Sequence, residues 1–241
     1  GLGFLCAFSN ALAVDTREGI LLVDTSSLLC AGTLFESVRR WSPRRLHTAV
    51  YTHGHVDHVF GLGPFEEEAQ RNGQRIVVLA HEACPRRFAR YALTQGYNGL
   101  INARQFGLPV PIFPTNFRYP DELIADHLRV CLGDVTVELY HDRGETDDHL
   151  WAYLPGRRAL YTGDLFIWAS PNCGNPQKAQ RYPREWAAAL RKMEKLDAEL
   201  LFPGHGPPIL GAARVKQALG DTATLLETLV NQSLELLNQG A

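Results

Sequence analysis

The chain has 241 residues, of which 45% are hydrophobic and 21% are charged, and its formal net charge at pH 7 is -2. This charge gives no electrostatic attraction to nucleic acid or to an anionic membrane, and no apolar run approaches the ~20 residues that cross a bilayer. We therefore expect one globular domain over residues 1–241, with a small molecule as its partner rather than nucleic acid or a membrane.

The N-terminus and the cysteines both bear on the cellular compartment. The opening residues lack the basic region and the long apolar core of a signal peptide, although the chain starts without methionine, as a trimmed N-terminus would. The cysteines are few and dispersed, which argues against a disulfide framework and favours a reducing compartment. They are Cys6, Cys30, Cys84, Cys131 and Cys173. We expect a cytoplasmic protein.

Strands and helices alternate through the first part of the chain. Apolar runs at 10–14 and 20–23 flank a turn with Gly19 and predict a hairpin, whose second strand is stopped by Asp24. The next predicted elements are a helix at 34–41, a strand at 47–52, a helix at 65–72, a strand at 76–80 and a helix at 82–93. This alternation indicates an α/β protein whose helices cover the faces of a sheet.

Residues 94–126 interrupt this rhythm. The segment contains aromatic side chains and four prolines, namely Pro109, Pro111, Pro114 and Pro120. A loop of this length inside a compact domain is uncommon and often serves as a lid or a binding loop. We expect either such a loop, suited to a partly apolar organic substrate, or an irregular insertion with its own small apolar cluster.

The second half of the chain predicts a second set of strands followed by helices. A hairpin at 128–132 and 135–140 precedes strands at 150–154 and 159–162, and Gly163-Asp164 is expected to end the last of these. The remaining elements are a polar loop at 167–182, a helix at 183–196, a strand at 200–203 and a C-terminal helical segment at 212–239. The apolar stripe of that segment predicts packing on the core or contact with a partner subunit in a homodimer.

One short stretch is dense in metal-ligand side chains. Of the nine histidines in the chain, three fall within six residues together with a carboxylate, directly after an apolar run at 49–51. These residues are His53, His55, Asp57 and His58. Imidazole and carboxylate are the nitrogen and oxygen ligands of zinc and similar divalent ions. The stretch therefore predicts a metal site for two ions.

Two further ligand-type side chains follow predicted strands. Asp164 comes after the strand at 159–162, and His205 comes after the strand at 200–203. Loops at neighbouring strand ends of one sheet edge lie side by side, so residues distant in sequence can converge on one site. We expect both residues to join the histidine cluster.

These motifs resemble those of the metallo-β-lactamase superfamily of hydrolases. The resemblance rests on His53-x-His55-x-Asp57-His58, on Thr162-Gly163-Asp164 and on Pro203-Gly204-His205-Gly206. It implies an αββα sandwich with two metal ions at one edge of the β layers. It also implies that His53 and His55 serve the first metal, that Asp57, His58 and His205 serve the second, and that Asp164 bridges them.

The chain departs from the family where a third histidine usually serves the first metal. The corresponding segment is 143–146, and the nineteen positions from Glu145 to Asp164 fit the family pattern without a gap. Glu145 therefore takes the ligand place, with His149 and His141 as alternatives. Alkylsulfatases within the superfamily are similar in having a glutamate there, although their bridging residue is also a glutamate. The chain resembles a short alkylsulfatase-related hydrolase, and residues 225–240 resemble the helix that leads into the alkylsulfatase dimerisation region.

The resemblance implies a hydrolytic reaction at two divalent ions. Zinc is the first expectation, with manganese or iron as alternatives because Glu145 is a harder ligand than imidazole. A metal-bridging hydroxide would attack an ester-type bond, with a sulfate or another anionic ester as the specific expectation. Asp57 would act as the catalytic residue that orients the hydroxide or passes a proton to the leaving group. Lys178 and Arg181 are candidates for gripping the substrate anion, with a solvated basic surface as the alternative.

Other functions use similar sites. A lactonase, a thioesterase or a β-lactamase would need the same ligands. A carboxylate-rich iron redox protein is a second class, but its relatives place an acidic residue where this chain has His55. A metal-bearing scaffold without catalysis, binding a partner through the C-terminal helix, is a third class, and the intact ligand set counts against it.

Overall fold

A computed structural model describes residues 1–174 and 180–240 of the chain. The chain forms two compact units, residues 1–125 and residues 126–241, and each contains one six-stranded sheet. Among the described residues, no helix is both long and apolar enough to cross a membrane.

The first unit contains a mixed sheet with the strand order β1-β2-β3-β4-β5-β6. Its strands are β1 (Leu2–Leu5), β2 (Ala11–Thr16), β3 (Gly19–Val23), β4 (Leu46–Val50), β5 (Val77–His81) and β6 (Glu122–Ile124). Its helices are α1 (Ala31–Trp41), α2 (Val56–Val59), α3 (Gly63–Arg71), α4 (Cys84–Leu93) and α5 (Gln95–Phe106). The strands β1 to β3 are antiparallel, and β3 to β6 run parallel. The predicted hairpin and the alternation that follows it are confirmed.

The parallel strands position the histidine stretch. Every residue of β3 is buried, as expected for a strand with both faces covered. Strand β3 pairs with β4 so that Val23 lies opposite Val50, and both strands end at the same edge of the sheet. Consequently Asp24, which follows β3, and Thr52, which follows β4, emerge side by side.

The expectation of a long irregular segment at 94–126 is wrong at both ends. Residues Gln95–Phe106 form helix α5, and Glu122–Ile124 form the edge strand β6. The prolines all follow Phe106, so only the middle of the segment is barred from helix formation. The helix was missed because it buries just two residues, Gly99 and Ile101, and so shows no apolar stripe.

The second unit contains a sheet with the strand order β12-β11-β10-β9-β8-β7. Its strands are β7 (His127–Leu132), β8 (Val135–His141), β9 (Leu150–Leu154), β10 (Ala159–Ile167), β11 (Leu200–His205) and β12 (Ile209–Leu210). Its helices are α6 (Pro183–Glu194) and α7 (Ala212–Asn238). The β10–β11 pair is parallel, and the other strand pairs described for this sheet are antiparallel. The core of this unit contains residues from both helices, including Trp186, Leu190, Met193, Val215 and Leu219.

Strand β10 is longer than the sequence predicts. It continues through Gly163 and Asp164 to Ile167, with register shifts against β11 on both sides of Gly163. Gly163 has a positive φ of 51°, a conformation that glycine adopts without a steric penalty. The glycine was interpreted as a strand end, but it marks an irregularity inside the strand. Asp164 therefore lies within a strand and not in a turn after one.

Helix α7 is confirmed over its predicted length and runs unbroken through Gly220. Its first half packs on the core of its unit, and Leu226 is its last buried residue. Beyond that point apolar side chains are exposed, among them Leu229, Leu234, Leu236 and Leu237. A homodimer through this helix stays a prediction.

Candidate metal centre

The histidine stretch leaves the buried end of β4. Tyr51, Thr52 and His53 are fully buried, and the Nε2 atom of His53 lies 2.9 Å from Nδ1 of His55. The Oγ1 atom of Thr52 lies 3.0 Å from Nδ1 of His53, so the other ring nitrogen is the one directed toward His55. Two imidazoles held this close by buried backbone suit a shared cation.

The one-turn helix α2 adds two further ligand-type side chains. His55 lies immediately before the helix in an extended conformation, and Asp57 and His58 lie within it. The rings of His53 and His58 have centroids 4.3 Å apart, and Nε2 of His58 lies 3.6 Å from Oδ2 of Asp57. The first unit thus gathers three imidazoles and one carboxylate within six residues.

Asp24 orients this cluster through contacts with His58 and Thr52. Its Oδ2 atom lies 2.8 Å from Nδ1 of His58 and accepts a hydrogen bond of 2.8 Å from the Thr52 hydroxyl. Its Oδ1 atom accepts a hydrogen bond of 2.7 Å from the Thr52 backbone N–H. A carboxylate that holds the proton of Nδ1 leaves the lone pair of His58 on Nε2, the nitrogen nearer Asp57. From its sequence context Asp24 is predicted only to end a strand, so its contacts with His58 and Thr52 are visible in the structure alone.

Replacing Asp24 tests the orienting carboxylate. We expect Asp24→Asn to weaken metal binding by about 10- to 100-fold, because an amide has a single acceptor oxygen and cannot accept from the Thr52 backbone N–H and from His58 at once, as the two carboxylate oxygens do. Chelator competition on metal-free protein measures the change. Asp15→Asn is the matched control, since Asp15 is a partly exposed aspartate of the same unit that pairs with Arg44. Equal metal affinity in Asp24→Asn and the control would contradict the role.

Aromatic side chains lie beside His55 in the first unit. The Tyr91 ring is 6.3 Å from the His55 ring at an interplanar angle of 30°, and it contacts Phe113 at 5.2 Å. Phe117 stacks on Phe88 at 4.1 Å. Part of the aromatic segment at 94–126 therefore packs against Tyr91, the ring that lies beside the candidate ligand His55.

In the second unit, Asp164 and His205 lie on the adjacent strands β10 and β11. Asp164 is buried, and its Oδ2 atom lies 3.3 Å from Nε2 of His205. This approach depends on Gly204, because a Cβ atom there would lie 2.0 Å from Oδ1 of Asp164. The pair that the sequence placed at two strand ends is thus brought together within the strands.

Glu145 lies in the turn segment 142–149, which connects β8 to β9. A Cβ atom on the preceding residue, Gly144, would lie 2.3 Å from Leu165 and 3.0 Å from Trp186. The turn therefore sits directly on the core of the second unit. The Oε1 atom of Glu145 forms an ion pair of 2.9 Å with Nη1 of Arg181.

The two alternative histidines have other contacts. The Nε2 atom of His149 accepts a hydrogen bond of 3.1 Å from the backbone N–H of Asp164. The Nδ1 atom of His141 lies 3.0 Å from the backbone oxygen of His149. His149 thus stabilises the backbone at Asp164. This contact uses the ring lone pair that His149 would need to bind a metal.

Two sets of side chains among the described residues could each hold a metal ion. One set consists of His53, His55, Glu145 and Asp164, and the other consists of Asp57, His58 and His205. Their nitrogen and oxygen donors fit zinc, manganese or iron. These are the seven residues that the sequence analysis selected, and His149 and His141 belong to neither set. The individual role of each residue stays a prediction.

Three other residues of the predicted site region have different surroundings. Lys178 lies outside the described residues. Trp168 is exposed, and its indole N–H donates to the backbone oxygen of Pro207 over 2.7 Å. Cys173 packs against the core of the second unit, where burial raises the pKa of its thiol.

The chain belongs to the metallo-β-lactamase superfamily, whose family model matches residues 6–205. A linear primary-alkylsulfatase of Pseudomonas sp. (strain ATCC 19151) is 24% identical over 253 residues, covering 94% of this chain and 47% of the relative. A metallo-β-lactamase type 2 of Bacillus sp. (strain 170) is 27% identical over 226 residues, covering 92% of this chain and 71% of the relative. Such relatives are hydrolases, and the alkylsulfatases support the alkylsulfatase-related branch.

Solved structures give the same fold. A stereoselective inverting sec-alkylsulfatase from Pseudomonas sp. matches all of this chain with a TM-score of 0.85 at 22% identity, and the match covers 42% of that structure. Together with the two mixed sheets and their flanking helices, this confirms the α/β class and the αββα sandwich. The chain spans about half the length of the alkylsulfatase relatives.

Proposed function

We propose that the chain is a metal-dependent hydrolase that uses two divalent ions to cleave an ester-type bond, with a sulfate or another anionic ester as substrate. The observation that carries this proposal is the ligand set, in which a glutamate joins the histidines and aspartates of a metallo-β-lactamase site. The alkylsulfatase relatives support the choice of substrate class.

The residues of each unit have defined tasks in this proposal. His53, His55 and Glu145 hold the first ion, Asp57, His58 and His205 hold the second, and Asp164 serves both. When bound, two such ions lower the pKa of water toward neutrality and polarise the substrate oxygen under attack. Asp24 fixes the ring of His58, and His149 fixes the backbone at Asp164.

Asp57 is the proposed catalytic residue. Its carboxylate is partly exposed and lies next to Nε2 of His58. From there it can orient the attacking water and pass a proton to the leaving group. The Tyr91 ring beside His55, which packs against Phe113, can contact an apolar part of an organic substrate.

We further propose that the protein is cytoplasmic and that exposed residues of α7 join two copies in a homodimer.

Metal content tests the first part of the proposal. We expect metal-free protein to take up two ions of zinc per chain, or of manganese or iron, because the ligand set contains two groups of donors. Elemental analysis after gel filtration measures the stoichiometry. Uptake of no metal would contradict the proposed function, and uptake of one ion would contradict its dinuclear form. Uptake of iron alone, with redox cycling, would favour the redox class.

A substrate panel tests the reaction. The metal-loaded protein is offered sulfate, phosphate, lactone, thioester and β-lactam substrates at equal concentrations, with metal-free protein as the control. We expect metal-dependent turnover of a sulfate or another anionic ester. A β-lactamase is the second candidate because one such relative matches over 71% of its own length. Turnover of the β-lactam alone would replace the first candidate with the second.

A further inference from the structure

The second unit places a buried arginine directly against the unusual ligand Glu145. We propose that Arg181 is a positioning residue that fixes the Glu145 carboxylate and cancels its charge, so that the Glu145–Arg181 pair replaces a neutral imidazole ligand. The inference rests on the proposed metal centre. It assigns Arg181 a role other than the grip on a substrate anion that the sequence predicts.

The contacts of Arg181 are directed at Glu145. The Nη1 atom lies 2.9 Å from Oε1 of the carboxylate, and it also donates to the backbone oxygen of Glu145. One arginine nitrogen thus holds both the backbone and the side chain of the same residue. This arrangement defines the direction in which the carboxylate points.

The backbone around the pair reinforces this hold. The residue after Arg181, Tyr182, donates its backbone N–H to the carbonyl of Gly144 over 2.9 Å. The guanidinium of Arg143 lies 5.4 Å from the centre of the Tyr182 ring. Helix α6 begins at the next residue, Pro183. Two successive residues therefore connect the turn that carries Glu145 to the start of α6. Arg181 contributes the charged contact and Tyr182 contributes a backbone hydrogen bond.

Burial makes the charge balance necessary. The Arg181 side chain is only 5% exposed and that of Glu145 is 16% exposed. A guanidinium stays charged at neutral pH and is costly to bury without a counter-charge. A carboxylate can contact arginine through one oxygen and a metal through the other. The pair then presents a metal with an oxygen donor at zero net charge, as a neutral histidine presents a nitrogen donor at zero net charge.

A substrate-binding arginine would need a different setting. An anion gripped by a guanidinium has to reach it from solvent, and a substrate carries its own negative charge to the site. At 5% exposure, and facing a carboxylate, the Arg181 side chain is poorly placed for that purpose. The geometry favours a permanent partner over a transient one.

A double-mutant cycle on the full chain tests the pairing. Glu145→His, Arg181→Met and the double variant are compared with the wild type by chelator competition, which gives the stoichiometry and Kd of zinc. We expect each single variant to bind the ion at this position about 10- to 100-fold more weakly. The double variant should bind zinc at least about tenfold more tightly than Glu145→His, since the introduced histidine then no longer faces a buried arginine without a counter-charge.

Several results would overturn the inference. Tighter zinc binding in Arg181→Met would mean that Arg181 acts only by repelling the metal. If Arg181→Met lowers the zinc affinity equally in the wild type and in Glu145→His, Arg181 has a structural role without coupling to Glu145. An increased KM with unchanged metal affinity in Arg181→Met would mean that Arg181 binds the substrate instead. Two bound ions in the wild type together with no coupling would contradict this inference alone, whereas no bound metal in the wild type would contradict the proposed function.

A conservative variant, Arg181→Lys, shows whether the effect of Arg181→Met comes from misfolding. Arg181→Lys keeps the charge but cannot reproduce the fork of the guanidinium. We expect its zinc affinity to lie between those of the wild type and Arg181→Met, with an unchanged circular dichroism spectrum. An affinity of Arg181→Lys below that of Arg181→Met would contradict the proposed charge balance.

Discussion

His55→Ala is expected to abolish hydrolysis while the fold remains. His55 is partly buried beside His53, with its Nδ1 atom 2.9 Å from the Nε2 atom of His53. Its removal takes a donor from the first metal set. A metal ion contributes several kcal/mol to the stabilisation of a transition state, and each 1.36 kcal/mol is tenfold in rate, so the loss is on the order of 1,000-fold or more. Turnover and metal content are measured on the same sample.

The control for this variant is His47→Ala. His47 is a histidine of the same unit, lies on β4 near its start and contacts the Thr48 hydroxyl at 2.9 Å. Burial lowers its pKa below the usual value, so it is largely uncharged at neutral pH. We expect its removal to leave turnover and metal content unchanged. Full turnover in His55→Ala would exclude the proposed centre, and equal losses in both variants would point to general destabilisation.

The ligand-type residues could be found from the sequence because their signal is local. Four of them lie within one stretch of six residues, and the others accompany short glycine-containing motifs near strand ends. Such patterns need no knowledge of tertiary packing. The same holds for helix α7, whose apolar positions recur with a helical period over its whole length.

The residues that hold the ligands in place could not be found in this way. Asp24 contacts Thr52 and His58, which are 28 and 34 residues away. These contacts depend on the register of the parallel strands β3 and β4, which a single sequence does not specify. The Glu145–Arg181 pair spans 36 residues and links a turn to the start of a helix. Such partners are identified by geometry alone.

Glycine was the most ambiguous signal. Gly163 was interpreted as a strand end because glycine favours turns, yet strand β10 passes through it. Gly204 is recognisable in the sequence only as part of a motif, although it is the residue that lets two strands bring Asp164 and His205 together. In both cases the sequence marks an unusual backbone position but does not say which neighbour requires it.

Gly204→Ala is expected to disable the centre without removing a ligand. The new Cβ atom would lie 2.0 Å from Oδ1 of Asp164 and 2.8 Å from the carbonyl carbon of Gly163. The Gly163 backbone belongs to β10 and cannot move freely, so the Asp164 carboxylate has to leave its position. Overpacking of this kind costs about 1–3 kcal/mol of folding free energy. A misplacement of about 1 Å near reacting groups lowers turnover by about 100-fold.

Gly156→Ala separates this effect from the general cost of replacing glycine. Gly156 lies in the short turn between β9 and β10 of the same unit, and among the described residues other than its chain neighbours, no heavy atom lies within 4 Å of the position of its Cβ. We expect this variant to keep its metal content, its turnover and its free energy of unfolding. In Gly204→Ala, metal content and turnover should fall together, because the displaced group is a carboxylate of the proposed centre. If Gly204→Ala unfolds at lower denaturant concentration but still binds two ions and turns over normally, Asp164 does not serve the metals and Gly204 is needed for strand packing alone.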